Sequence, residues 1–304
     1  MRRRLATGAA AGGLIALVAL ALAGGPADSR ASGATATKAG KGLKLKLIGR
    51  TSYMKGSDQK SRRVVTCPGR SIPLGGGYKA SPPPGPDGEG AYPHSYERLG
   101  VQSGWHVTPV LFHPSSGQPT PRKVTLQVIC RRQVPSVTRR RKITFVAPGQ
   151  TKTVVVKCPG PRRLIGGGFQ RTDFVSSGGN YVTESRAVNA KAWRVTGSAF
   201  GRFGGQLVSI VYCFRTKKPL VKAVQATTTV GPRSYASVRT KRCPRKRRMV
   251  FGGFQTSPEA SMFIANGFFS NDHWTQSAFN YFGGEGKLTA YGYCVSLKRL
   301  GKRR

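Results

Sequence analysis

Acidic side chains are nearly missing from this chain. Ten Asp and Glu stand against 51 Lys and Arg over 304 residues, a formal net charge of +41 and a pI near 11.3. Residues 98–172 and 185–258 contain no carboxylate. A glycoside hydrolase needs two, and here they could come only from Asp87, Glu89 and Glu97, from Asp173 and Glu184, or from Glu259, Asp272 and Glu285. Glu97 and Glu184 alone share an offset, 8 and 9 residues before a tryptophan, and Asn266 takes that place further on. Histidine is equally sparse. His94, His106 and His113 cluster early and His273 stands apart, so a repeated metal site is excluded, and no His lies at ligand spacing from a Cys. There is no C-x-x-C redox pair and no G-x-S-x-G elbow. The expectation is a non-enzymatic protein with no metal and no cofactor. Gly and Pro follow no short period, which excludes collagen, and the scarcity of Glu excludes a coiled coil.

Long apolar runs are absent too, except at the start. Met1-Arg2-Arg3-Arg4 is a basic segment, Leu14–Ala23 is an apolar stretch of signal-peptide length, and Ala21-Leu22-Ala23 offers a small-x-small cleavage site. Residues 1–23 therefore read as a signal peptide, with an uncleaved membrane anchor as the competing reading. Residues 24–42, rich in Gly, Ala and Lys, read as a flexible basic lead-in. An exported, strongly basic chain meets anions outside the cytoplasm: wall polymers, acidic polysaccharides, lipid headgroups and released nucleic acid.

What is present is a repeat. Cys67-Pro68-Gly69, Leu74-Gly75-Gly76-Gly77-Tyr78, Trp105 and Cys130 recur as Cys158-Pro159-Gly160, Ile165-Gly166-Gly167-Gly168-Phe169, Trp193 and Cys213. They recur again as Cys243-Pro244, Phe251-Gly252-Gly253-Phe254, Trp274 and Cys294. The leading cysteines are 91 and 85 residues apart, and all six cysteines and three tryptophans of the chain fall in equivalent places. Three units follow, at 43–133, 134–217 and 218–298, with a basic tail at 299–304.

Within each unit the period is two. Val124, Leu126, Val128 and Cys130 alternate with Thr125, Gln127 and Ile129, and TVVVKC at 153–158 and LVSIVYC at 207–213 are rich in β-branched and aromatic residues. Pro148-Gly149 and Gly231-Pro232 punctuate strand pairs. No segment after the leader has helical periodicity. The predicted fold is all-β: three tandem antiparallel sandwich or barrel-like units of about six strands each. Not every strand alternates: over Ser237–Cys243 the pattern fails, which points to a bulge, an edge or a misassigned strand.

A unit near 85 residues is small for a self-sufficient core, and an exported chain can compensate with disulfides. The repeat favours Cys67–Cys130, Cys158–Cys213 and Cys243–Cys294. The alternative joins Cys130 to Cys158, Cys213 to Cys243 and Cys67 to Cys294, and would suit a closed pseudo-three-fold, β-prism-like ring. The Gly run at 160–168 lacks the Lys-Ser/Thr of a phosphate loop and no helix follows it, so Gly76, Gly77, Gly167, Gly168, Gly252 and Gly253 read as structural. Glycine in a strand lets another group lie on the backbone, and Trp105, Trp193 and Trp274 are the candidate covers.

Bases crowd the ends of units. Arg131, Arg132, Arg139, Arg140, Arg141 and Lys142 mark the first junction, and Arg215, Lys217, Lys218 and Lys222 the second. Arg242, Arg245, Lys246, Arg247 and Arg248 bracket Cys243. Like charges packed together call for an anion, so Arg139–Lys142, Arg242 and Arg245–Arg248 are the candidate anion-binding residues, the partner an anionic polymer. A lectin-like module using the Gly-to-Trp loops is the alternative, and a hydrolase the third class.

Cys-Pro-x-Gly, Gly-Gly-Gly, Trp-x-Val and a closing Tyr-x-Cys or Tyr-Cys resemble the repeats of uncharacterised exported proteins from high-GC Gram-positive bacteria. The third unit departs from the pattern, with Pro244-Arg245 and Trp274-Thr275-Gln276. The resemblance implies export, a secreted or wall-associated location and the β architecture, and is silent on chemistry.

Overall fold

The computed structural model describes residues 45–296 apart from 56–61, 100–103, 113–119, 133–136, 172–173, 176–177, 217 and 258–259. The expected signal peptide, the whole of the expected lead-in and the basic tail lie outside the described residues.

Every regular element described is a strand. The first unit holds β1 (Leu45–Met54), β2 (Arg63–Thr66), β3 (Ser71–Ser81), β4 (Gly90–Arg98), β5 (Gly104–Phe112) and β6 (Arg122–Arg132). The second holds β7 (Val137–Val146), β8 (Thr151–Lys157), β9 (Arg162–Arg171), the two-residue β10 (Phe174–Val175), β11 (Gly178–Ala187), β12 (Ala192–Gly201) and β13 (Gly205–Arg215). The third holds β14 (Val221–Val230), β15 (Tyr235–Arg239), β16 (Arg247–Thr256), β17 (Ala260–Ser270), β18 (His273–Gly283) and β19 (Gly286–Ser296). Ser237–Arg239, where alternation fails, belongs to an edge strand: β15 pairs only with β18.

Apart from β10, which pairs only with β11, these strands form three six-stranded antiparallel sheets, ordered β1-β6-β3-β17-β18-β15, β14-β19-β16-β11-β12-β8 and β2-β5-β4-β9-β13-β7. Each sheet takes three strands from one unit and three from another, and the exchange runs from unit 1 to 2, 2 to 3 and 3 back to 1. The cycle closes. The three disulfides nevertheless lie inside the units: Cys67–Cys130, Cys158–Cys213 and Cys243–Cys294, with Cα separations of 5.5, 5.6 and 5.6 Å. The ring is thus made by strand pairing and not by cross-junction bridges. Each bridge joins the segment after a unit's second strand to its last strand, and so ties together the two sheets that share the unit.

The seams between units are narrow. They consist of Gly267 opposite Tyr78, of Ser95 and Tyr96 opposite Gln170 and Phe169, and of Glu184 and Ser185 opposite Gln255 and Phe254. Side chains close what the short ladders leave open. Tyr212 Oη accepts a hydrogen bond from Arg98 N at 2.5 Å and Tyr293 Oη one from Ala187 N at 2.7 Å, while Gln127 Oε1 accepts from Phe269 N at 2.8 Å. Each therefore satisfies a backbone donor in the neighbouring unit.

The three glycine positions of the repeat have three different jobs. At the second, a Cβ would lie 2.1 Å from Trp105 at Gly76, 2.1 Å from Trp193 at Gly167 and 1.8 Å from Trp274 at Gly252. Each indole, 0–1% exposed, lies flat on the opposite sheet of its own unit. At the third, a Cβ would strike the adjoining unit: Tyr96 O at 2.2 Å from Gly168, Ser185 O at 2.5 Å from Gly253, and Phe268 Cα at 3.0 Å from Gly77. At the first position the units differ. Gly75 and Gly166 face Phe251, whose ring would stand 2.7 and 3.1 Å from their added Cβ atoms. Three equivalent positions converge there and one large side chain fills the space, so the third unit reads Phe-Gly-Gly where the others read Gly-Gly-Gly. Just before, each unit has a bulge at Leu74, Ile165 or Val250.

One hydrophobic core draws on all three units. Phe251 lies 5.5 Å from Trp105 and 5.3 Å from Trp193, and Tyr96 lies 6.4 Å from Trp274. Such edge-on aromatic contacts add to area burial, and here they hold the units to one another.

Candidate anion-binding end

Every pairing, within units and across seams, is antiparallel, so the three units point the same way. One end of the molecule gathers the disulfides, the Cys-Pro turns and the ends of β6, β13 and β19. The other gathers the long loops after β3, β9 and β16. Exposed bases from all three units lie at the first end: Lys46, Arg70 and Arg132, then Arg139, Arg140 and Arg215, then Lys218, Lys222 and Arg242–Lys246, whereas Arg141 and Lys142 stand mid-strand on β7, Lys142 level with the seam residue Phe169.

The nominated residues separate into two groups. Arg139 ion-pairs with Glu97 of unit 1, Arg242 Nε donates to His273 Nε2 at 3.2 Å, and Arg248 meets Asp272 at 3.2 Å. Arg247 is structural, donating to Leu220 O and Cys294 O at 3.4 and 3.3 Å. Arg140, Arg141, Lys142, Arg245 and Lys246 are exposed and have no acidic partner among the described residues. Arg140, Arg141 and Lys142 stand on β7, an edge strand pairing only with β13. Charge on an edge strand also deters stray strand pairing. That accounts for β7 and leaves the 245–248 turn unexplained.

The turn itself is strained. In the first two units the Cys-Pro turn closes through Ser71 N to Pro68 O and Arg162 N to Pro159 O, both 3.2 Å, with Gly69 and Gly160 at φ of 53° and 51°. The third unit has Arg245 in the glycine's place. Its turn closes from Arg247 N to Pro244 O at 3.1 Å with the left-handed conformation moved to Lys246, φ 68°. An L-residue held there costs about 1 kcal/mol. Lys246→Gly is therefore expected to stabilise the fold by about 1 kcal/mol, read as a rise in the urea midpoint.

The acids at this end are already engaged. Glu97, 8% exposed, faces Arg139 and lies 3.6 Å from His106 Nδ1. Glu184 holds Arg186 at 2.7 Å and Arg194 at 3.6 Å, and accepts from Thr196 Oγ1 at 2.8 Å. Their shared offset from tryptophan is not structural equivalence. Ser95 and Glu184 both stand opposite the third residue after the tryptophan, Thr108 and Thr196, whereas Glu97 stands opposite the first, His106. His273 Nδ1 donates to Thr240 O at 2.5 Å, so Nε2 is its acceptor. His94 is buried, and His113 lies outside the described residues. Among the described residues no three His, Cys, Asp or Glu side chains converge, and no helix is long and apolar enough to cross a membrane.

Sequence reasoning missed a second feature, at the opposite end. Tyr92, Tyr181 and Phe263 occupy equivalent strand positions, four residues before the seam residues Tyr96, Ser185 and Gly267, and Phe112, Phe200 and Tyr281 each follow their tryptophan by seven. All five others lie within 5.0–6.3 Å of the Phe263 ring. The signal was a fixed offset, visible only once the units are aligned. Nearby, Arg122 ties the loop after β3, reaching Glu89 at 3.1 Å and the Pro82 and Pro83 carbonyls at 3.2 Å. Burial pushes Glu89 up, but hydrogen bonds from Thr120 and the Arg122 charge outweigh it and hold the carboxyl below its usual range.

The fold is that of an all-β protein of three disulfide-stapled units in cyclic strand exchange. The disulfides are consistent with an extracellular protein. No family model matches the chain, and comparison with curated proteins returns no match.

Proposed function

We propose that this is an exported, non-enzymatic binding protein, of the kind its repeats resemble, whose basic end holds it to an anionic polymer of the cell envelope or exterior. One observation carries the reading. Cyclic exchange brings exposed arginines and lysines of three units to one end, where the acids present are already paired with other bases. Uncompensated like charge destabilises a compact fold, and a polyanion relieves it while releasing counterions. Guanidinium groups suit phosphate, sulfate and carboxylate alike. The test is retention of the full chain on a sulfated polysaccharide matrix. The logarithm of the affinity is expected to fall linearly with log salt, by three orders of magnitude or more in affinity from 50 to 200 mM if about six contacts form. Absence of retention at low salt, or retention that survives molar salt, contradicts the proposal.

A second reading, glycan binding at the loop end, has only the partly buried rings of Phe112, Tyr181, Phe200 and Tyr281 to offer, since Tyr92 and Phe263 are 2% and 7% exposed and form a core of their own. The tryptophans, 0–1% exposed, are not its platform. Its mark is calorimetric binding of neutral oligosaccharides that does not change with salt.

A further inference from the structure

Among the described residues of the basic end, Arg131 alone has a charge that is fully buried and unanswered. Its side chain is 1% exposed, and Nε, Nη1 and Nη2 all lack a hydrogen-bond partner. It follows Cys130, so its counterparts are Phe214 and Val295, both buried and apolar. Its cross-strand neighbours are Leu45 on β1 and Ile72 on β3. The counterparts of Ile72 are Arg163 and Arg248. Each unit thus places one arginine in this pair of positions. Arg163 bonds the Arg162 carbonyl and Arg248 pairs with Asp272. In unit 1 the arginine has moved to the covered strand, where packing in the other units takes Phe or Val.

A guanidinium closed off from water without an acceptor is among the costliest groups a fold can carry. The desolvation also lowers its pKa, but an arginine stays charged. The acids at this end, Glu97, Glu184 and Asp272, belong to other bases. Arg131 is the second-last residue of β6, so its cover lies close to the molecular end, and Arg132, Arg70 and Lys46 stand exposed around it.

We propose that Arg131 anchors a phosphate-binding site at the basic end of unit 1, with the planar fork holding the phosphate oxygens and the surrounding bases favouring a dianion over a carboxylate. It rests on the anion-binding reading above and gives that reading a specific subsite. The phosphate is free or the end group of a polymer.

The test is thermal and urea unfolding of the full chain at constant ionic strength, with chloride exchanged for inorganic phosphate, for a short glycerol-phosphate oligomer, or for acetate. Wild type is expected to gain stability saturably with phosphate, its unfolding constant falling about a hundredfold at a hundred times the dissociation constant. The oligomer reproduces the gain if a polymer is the source and does not if free phosphate is; acetate gives none. Arg131→Met, matched to the apolar residues of the other units, is expected to melt above wild type in chloride and to lose the phosphate gain. Arg131→Lys keeps the charge without the fork and binds phosphate at least tenfold more weakly. An equal gain in the methionine variant, or in the lysine variant should the first not fold, overturns the site, as does a wild type indifferent to phosphate or equally responsive to acetate. The variant's retention on the sulfated matrix is expected to be unchanged, so loss of the phosphate gain and loss of polyanion binding are separate results.

Discussion

Alanine at Gly252 is expected to destabilise the protein by about 3 kcal/mol or more, because one added carbon exceeds what a packed core absorbs. That carbon would lie 1.8 Å from Trp274 Cε2, so the indole, 1% exposed, must shift, and the cavity it borders, lined also by Tyr96, Gly252 and Gln276, has room for about one water rather than a displaced ring. Gly76→Ala and Gly167→Ala are expected to behave alike, at 2.1 Å from Trp105 and Trp193. The control is Gly284→Ala. Nothing lies within 4 Å of its added carbon and its φ is not left-handed, so the change is expected to be neutral or to stabilise by up to about 1 kcal/mol. Urea midpoints of the four variants decide it. If Gly252→Ala is no worse than Gly284→Ala, the tryptophan is not seated on the strand as described.

The second large effect concerns independence of the units. Residues 134–217 alone are expected not to fold as a monomer, although the Cys158–Cys213 bridge closes a 55-residue loop and contributes about 4 kcal/mol in the chain-entropy model. The excised unit loses Phe251 and Tyr293, which lie 5.3 and 5.5 Å from Trp193. It also loses Trp105, 6.1 Å from Tyr212, and the seam partners of β9 and β11. Strands β11 and β9 would then present unpaired edges. The expected result is a chain with no cooperative unfolding transition by near-UV circular dichroism. A folded monomeric unit contradicts cyclic exchange.

Much of this architecture is written in the sequence, because its signals are local or exactly repeated along the chain. Alternation in 124–130 gives β6 and its inner face, and six cysteines in equivalent places give the pairing now found. The cyclic exchange is not legible, because each seam consists of one or two residue pairs and leaves no period of its own. For the same reason the change from Gly75 and Gly166 to Phe251 is visible as a departure, while its cause needs three copies meeting at one place. Arg131 reads as one more junction base. Its position beside inward-facing Cys130 puts it on the outer face of its unit, and nothing in the string says that this face is covered. Charge clustering is readable; which bases are already paired is not. Arg247 and Arg248 stand side by side in sequence, yet one holds two carbonyls and the other an aspartate.

The most direct measurement compares the two ends of the molecule on one anionic matrix. Five exposed bases at the basic end, Arg140, Arg215, Lys222, Arg245 and Lys246, are changed to Gln in one variant. Five at the loop end, Lys123, Lys152, Arg202, Arg233 and Lys287, are changed in another, so both lose the same net charge. The salt dependence of retention is expected to weaken by about four units of log–log slope in the first and by less than one in the second. Equal loss in both would mean that total charge alone is sensed, and would contradict a binding end built by the exchange of strands.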